Sequence, residues 1–136
     1  MGNFIPVITS EDFQKALIHI LEKTTTIGNW GEKRAEEYLQ EKGYEIVERN
    51  WRWQKYEIDL IARIRNLLVF IEVKARKNAD FGHPESFVSK AKVNRVKKAS
   101  ESYQYEKNYN GFIRFDIVSV TGTPTRFDIF HIEDAF

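Results

Sequence analysis

Two apolar stretches of the chain carry charge where charge is costly. In Glu57-Ile58-Asp59-Leu60-Ile61 two carboxylates stand two residues apart, which in an extended strand points both to one face. Leu68-Val69-Phe70-Ile71-Glu72-Val73-Lys74 is more apolar still, yet ends in an acid and an ammonium on one face. An unpaired buried carboxylate costs several kcal/mol, so something must compensate it. A local ion pair, Glu72 with Lys74 or Asp59 with Lys74 at a fraying sheet edge, is one answer. A hairpin between the two stretches gives another. With its turn near Arg65–Asn66, Asp59 falls opposite or diagonal to Glu72, and Glu57, Asp59 and Glu72 crowd one patch. One lysine cannot neutralise three acids, but a hard divalent cation, Mg²⁺ or Mn²⁺, can. Mg²⁺ takes oxygen ligands, commonly one or two carboxylates with waters and substrate phosphate. Such an ion polarises a phosphoryl oxygen and activates water. Lys74 beside it would help deprotonate the water or neutralise the phosphorane. The chemistry these residues suit is metal-dependent phosphodiester hydrolysis.

The elements that must position these groups follow from periodicity. Residues 1–9 read as an irregular arm. Phe13, Leu17, Ile20 and Leu21 recur at helical spacing in a first helix, Ser10–Lys23, with Glu11 and Asp12 in its first turn. Thr24–Gly28 reads as a hinge. Asn29 can cap a second helix, with Glu32 placed for a capping box and Gly43 as terminator. From Tyr44 the period becomes two. Strands are expected at 44–50, Tyr56–Ala62 and Leu67–Val73, the last two forming an antiparallel hairpin. Lys77–Pro84 reads as a loop, Ser89 to about Asn108 as a long helix with Ser89 as N-cap, and Phe112–Val120 and Arg126–Ile132 as strands around Gly122 and Pro124. The expected fold is α/β, a mixed sheet flanked by helices in the order αα-βββ-α-ββ. Residues 1–27 form an N-terminal arm and amphipathic helix, and 28–136 the main domain.

Composition narrows the classes. The 136 residues are 42% hydrophobic and 30% charged, enough for a core. Cysteine is absent, which removes disulfides, thiolate metal sites and cysteine nucleophiles. The longest purely apolar run, Leu67–Ile71, is far short of the ~20 residues of a membrane span, and no signal peptide is visible. A cytoplasmic protein without membrane contact is expected. Lys plus Arg number 21 against 20 Asp plus Glu, so the molecule is no polycation and a nucleic-acid footprint must come from local segregation.

The ordered motifs carry a resemblance. Asp59 followed by Glu72-Val73-Lys74 resembles the PD-(D/E)XK motif of the restriction-endonuclease-like superfamily. Gly31-Glu32, Ala35, Tyr38-Leu39, Gly43-Tyr44, Arg49-Asn50, Glu57 to Ala62, Phe70 to Arg76, Phe81-Gly82, Lys92 and Arg114-Phe115-Asp116 together resemble the YraN family. Its members are uncharacterised bacterial endonuclease-like proteins similar to Holliday-junction resolvases, and the resemblance covers about residues 29–136. It implies a restriction-endonuclease-like sheet, Asp59 and Glu72 as metal ligands, Lys74 as catalytic lysine and Glu32 as an additional acid at the metal. Glu32 is equally the capping-box partner of Asn29. Glu57 is either an acid behind the metal ligands or a salt-bridge partner for Lys55 or Arg63. Tyr56 departs from the family, which usually has Gly there; a bulky residue would narrow a backbone's approach.

Charge is segregated beside this site. Lys74, Arg76, Lys77, Lys90, Lys92, Arg95, Lys97 and Lys98 share a stretch whose acids are chiefly Asp80 and Glu85. Arg76, Lys77, Lys90, Lys92 and Arg95 are the candidate phosphate contacts for nucleic acid, DNA above all. The N-terminus of the helix after Ser89 could also take a phosphate. Trp51 and Trp53 flank Arg52 and suit either base stacking or the core, with the core preferred for at least one. His19, His83 and His131 lack ligand spacing, which argues against zinc. The expected activity is a nuclease acting on structured, branched DNA; the alternative is a non-catalytic nucleic-acid-binding protein on the same fold. A resolvase-like role calls for a two-fold homodimer.

Overall fold

The computed structural model describes residues 10–78 and 89–136; inside the first helix, the side chains of residues 12, 13 and 15–26 fall outside that description. Helix α1 (Ser10–Glu41) leads into strands β1 (Glu45–Trp53), β2 (Tyr56–Ile64) and β3 (Leu67–Arg76). Helix α2 (Lys90–Glu106) crosses to β4 (Phe112–Thr123), and β5 (Arg126–Ile132) follows. The fold is the expected α/β arrangement, a five-stranded mixed sheet with helices on both faces. The strands lie in chain order, β3 and β4 parallel and every other pair antiparallel.

One correction concerns α1. The two expected N-terminal helices are a single helix of 32 residues, and Thr24–Gly28 does not interrupt it. Thr and Gly cost a helix no more than about 1 kcal/mol per residue, less than helix on both sides supplies by propagation. Asn29 therefore lies inside the helix, and the capping box with Glu32 does not form. The C-terminus behaves as expected. Gly43 sits at φ 95°, its N–H donates to the Gln40 carbonyl at 3.0 Å, and that of Tyr44 donates to the Leu39 carbonyl at 2.9 Å. This is a Schellman closure. Ser89 caps α2 as expected, accepting the Lys92 amide at 3.1 Å. The arm 1–9, the side chains of the Phe13, Leu17, Ile20 and Leu21 stripe, and the loop residues Asp80, Phe81, Gly82, His83, Pro84 and Glu85 lie outside the described residues. Among the described residues no helix is long and apolar enough to cross a membrane.

Each helix buries one face of the sheet. Ala35 and Leu39 of α1 pack on Leu60, Ala62, Val69, Ile71, Val118 and Val120. Val96, Ala99 and Tyr103 of α2 pack on Ile58, Ile61, Leu68, Phe70 and Phe115. Gly31 sets the approach of α1, since a Cβ there would collide with the Ala75 side chain. Gly31→Ala is expected to lower stability by about 1–3 kcal/mol through overpacking. Gly28→Ala, which meets only open space, is expected to raise it by up to ~1 kcal/mol through helix propensity. Urea unfolding of the two variants side by side checks both.

Candidate active site

The sheet forks where the charged residues sit. The β2–β3 ladder ends at Leu60–Ile71. Beyond it β2 stays paired with β1 as far as Trp53–Tyr56, and β3 stays paired with β4 as far as Arg76–Thr121. Continuing the register one step places Asp59 across from Glu72. There the Val73 amide donates to Asp59 Oδ2 at 2.8 Å, so a side chain replaces a backbone acceptor. Face alternation also slips here. Ile58 and Ile61 share the α2 core, while Leu60 and Ala62 share the α1 core, which puts Asp59 at the irregular step.

The fork concentrates charge. Glu72 is 6% exposed, and its Oε2 lies 3.5 Å from Lys74 Nζ and 3.3 Å from Lys92 Nζ. Its Oε1 is buried with no hydrogen-bond partner. Burial, then the Glu72 charge, pushes the Asp59 carboxyl up to about 7, against the opposing pull of the Val73 amide and Lys92. Burial, then Glu57, also raises Glu32, which hydrogen-bonds Asn50. Glu32 reaches the fork from α1, and its charge is felt at Asp59. Burial and a neighbouring carboxylate both disfavour charge on Asp59, while among the described residues Lys74 and Lys92 pair only with Oε2 of Glu72. A buried carboxylate oxygen without a partner, facing a second carboxyl pushed up to about 7, fits a divalent cation. Asp59 and Glu72 would hold it, with Glu32 the further acid whose charge acts on Asp59. Among the described residues, no three His, Asp or Glu side chains already stand close enough to cage an ion. Two carboxylates with waters suffice for Mg²⁺.

A pH dependence follows. Well below pH 3.8 Asp59 is protonated whether folded or not. As pH rises towards 7 the unfolded chain releases a proton that the folded chain retains, because the folded value is raised from 3.8 to about 7. Stability is therefore lost across that window. Asp59→Asn, whose amide oxygen can still accept from Val73, is expected to abolish the loss and to gain on the order of 3 kcal/mol at pH 8 over pH 4 relative to wild type. Urea unfolding across this pH range without divalent ions measures it.

The other candidates divide. Lys92, expected on phosphate, reaches from α2 to within 3.3 Å of Glu72. Glu57 pairs neither with Lys55 nor with Arg63 but with its cross-strand neighbour Arg52, at 3.2 Å. Arg76 and Lys77 line a cavity of about 400 Å³ beside the fork, with Gly28, Glu32, Lys74 and Ala75 on its other walls. Lys90 and Arg95 are exposed on α2. Trp51 packs edge-on against Tyr103 of α2, as a core residue does, and Trp53 stacks on Tyr56 at the hairpin tip.

A second polar cluster escaped sequence reasoning. Asp116 is fully buried under α1 and accepts two hydrogen bonds from Arg114, at 2.8 and 2.7 Å, and one from the Asp134 amide at 3.0 Å. His131 Nε2 lies 2.7 Å from Asp116 Oδ2, and His131 Nδ1 lies 3.2 Å from the Tyr38 hydroxyl. Arg114 also donates to the Tyr44 hydroxyl at 2.7 Å. Burial opposes ionisation of Asp116, but His131, Arg114 and the Asp134 amide together hold its carboxyl below the usual range. The available signal was an Asp inside Phe115-Asp116-Ile117-Val118, which demands partners from elsewhere.

Comparison with known proteins places the chain. Residues 31–120 match the family described as "Uncharacterised protein family UPF0102". The UPF0102 protein FP2501 of Flavobacterium psychrophilum is 46% identical over 110 residues, covering 81% of this chain and 92% of its own length. A UPF0102 protein of Phocaeicola vulgatus is 44% identical, covering 80% of this chain and 90% of its own. One from Caldicellulosiruptor saccharolyticus is 41% identical, covering 69% and 80%. The matched segment spans Glu32, the fork and α2, and the chain belongs to this uncharacterised family, UPF0102, the YraN family that its motifs resemble.

Proposed function

We propose that the protein is a divalent-metal-dependent nuclease that hydrolyses phosphodiester bonds in structured DNA, branched forms among its candidate substrates. The observation that carries the reading is the fork. Asp59 and Glu72 face each other from diverging strands, one carboxyl pushed up to about 7 and the other with a buried unpartnered oxygen. A Mg²⁺ or Mn²⁺ ion held by Asp59 and Glu72 would supply a polarised phosphoryl oxygen and an acidified water. Lys74 stands beside Glu72 where it can neutralise charge building on the phosphate. Lys92 orients Glu72 from the other side, and Glu32 adds negative charge behind the ion. Arg76 and Lys77 would grip the sugar-phosphate backbone in the adjoining cavity, which supplies affinity without sequence reading. A two-fold homodimer would set two such centres on opposite strands.

The test is a panel of end-labelled branched, flapped, single-stranded and blunt duplex DNA, incubated with Mg²⁺ or Mn²⁺. Cleavage that needs the metal and disappears in Asp59→Ala supports the reading. No cleavage of any substrate with either ion overturns it. One observation favours a second reading, a nucleic-acid-binding protein without turnover. Glu72 is already flanked by two ammonium groups, and no three-acid cage stands among the described residues. DNA affinity without cleavage would select it.

A further inference from the structure

The three tryptophans have different surroundings. Trp30 packs on the α1 core and Trp51 on the α2 core. Trp53 packs on neither. Its ring contact is Tyr56, stacked at 5.5 Å with 27° between the planes. The two close the β1–β2 ladder around a two-residue turn, Gln54–Lys55, with Gln54 at φ 57°. A turn that tight leaves the aromatic pair at a stiff, projecting tip. Both side chains are half-buried, so part of the stack faces solvent.

The register fixes the face this pair presents. Trp51 pairs with Ile58 and Trp53 with Tyr56, so all four point to the side covered by α2. Arg52 and Glu57, paired between them, point to the other side. Lys92, reaching Glu72 from α2, stands on the same side as the aromatic pair. Tyr56 is three residues from Asp59 along β2, roughly 10 Å at the rise of a strand, or about three phosphates of a stacked strand at 3.4 Å each. The tip thus combines a Trp53 ring that packs on neither core, held by a Tyr56 that is itself anchored on the α2 side, with an exposed Lys55 and a short span to a fork lined by Lys74 and Lys92.

We propose that the stacked Trp53–Tyr56 pair is a platform for an unpaired nucleobase of a nucleic-acid strand whose phosphates run past Lys92 and Lys74 to the fork. The proposal rests on the nucleic-acid reading above and narrows its substrate to one with unpaired nucleotides beside the scissile position. A base inside a duplex already has stacking partners on both faces and cannot lie on the pair. A base at a junction, flap or single strand can. Every base has a π-face, so the preference is for unpaired structure and not for sequence.

The test measures anisotropy of labelled DNA with Ca²⁺ replacing Mg²⁺ to hold off cleavage. The probes are a single strand, a flapped duplex and a blunt duplex of equal length. Trp53→Leu, which keeps apolar bulk and removes the ring face, is expected to weaken binding of the first two by roughly 5- to 100-fold and to leave the blunt duplex unchanged. Trp53→Phe is expected to restore most of the loss. Quenching of the intact chain's tryptophan fluorescence by single-stranded but not blunt DNA reads the same contact without a substitution. Wild-type affinity in Trp53→Leu, equal losses on all probes, absence of quenching, or no binding of any probe by wild type would each overturn the platform. The two readings fail separately. Trp53-dependent binding without cleavage sinks the nuclease and keeps the platform; cleavage with binding indifferent to Trp53 does the reverse.

Discussion

Glu72→Gln is expected to lower Mg²⁺-dependent cleavage about 1,000-fold, equivalent to ~4 kcal/mol of transition-state stabilisation, with DNA affinity changed little. The substitution keeps the shape of a side chain that is 6% exposed and removes its charge. What disappears is the anionic oxygen that would face the ion and the anchor for two ammonium groups. Lys74 and Lys92 then repel each other with nothing between them. DNA affinity survives because the phosphate contacts assigned to Arg76 and Lys77 lie along the adjoining cavity. Lys74→Met should cost about 100-fold, in the range of an electrostatic contributor to the transition state. Lys92→Met should cost about tenfold if it acts through Glu72 alone, a difference of about 1.4 kcal/mol from Lys74→Met. Single-turnover rates and binding measured on the same branched substrate separate these effects. Equal losses for the two lysines would reassign both as positioning residues.

The largest stability effect is expected at Asp116. Asp116→Ala should destabilise the fold by about 3–5 kcal/mol, the usual result of removing one partner of a buried charge pair. Asp116 is fully buried and gathers Arg114, His131 and the Asp134 amide. Without it Arg114 keeps only the Tyr44 hydroxyl and the exposed Glu133 carboxylate at 3.4 Å. The loss also loosens the chain end after β5, leaving it held by the Ala135 amide on the Phe115 carbonyl and by Phe136 stacked on Phe115. Asp116→Asn, which retains two hydrogen-bonding atoms, should cost about half as much, near the 1.5–3 kcal/mol of charged hydrogen bonds. Urea unfolding at neutral pH measures both, and near-wild-type stability in Asp116→Ala would show the network to be incidental.

Local pattern placed most of the elements. Tyr56, Leu67, Phe112 and Arg126 begin their strands where alternation and turn residues predict, and Ser89 and Gly43 act as the expected cap and terminator. Alternation ends β3 at Val73, yet the strand runs to Arg76 because it pairs in parallel with β4 up to Thr121. That is a contact made across the α2 crossover, and no window of local sequence contains it. Thr24–Gly28 misled because residue preference is weak beside helix propagation. The meeting of Asp59 and Glu72 was legible from hairpin geometry, as was the need for compensating charge. Their separation onto two prongs was not, since it depends on where the ladder stops. Trp51 and Trp53 share a parity, and only the reach of α2 distinguishes a core ring from a projecting one. The Tyr38–His131–Asp116 chain joins residues 93 and 15 positions apart, so no local window shows that the motif residues Tyr38 and Asp116 meet.

Calorimetric titration of Mn²⁺ into the protein at a pH just below 7, in buffers of different ionisation heat, tests the shared-cation site most directly. We expect one ion per chain with release of roughly half a proton, since Asp59, held up to about 7, is only partly protonated there, and loss of both the binding and the proton release in Asp59→Asn and Glu72→Gln. Binding unaltered in the two variants, or no binding at millimolar Mn²⁺, would contradict it.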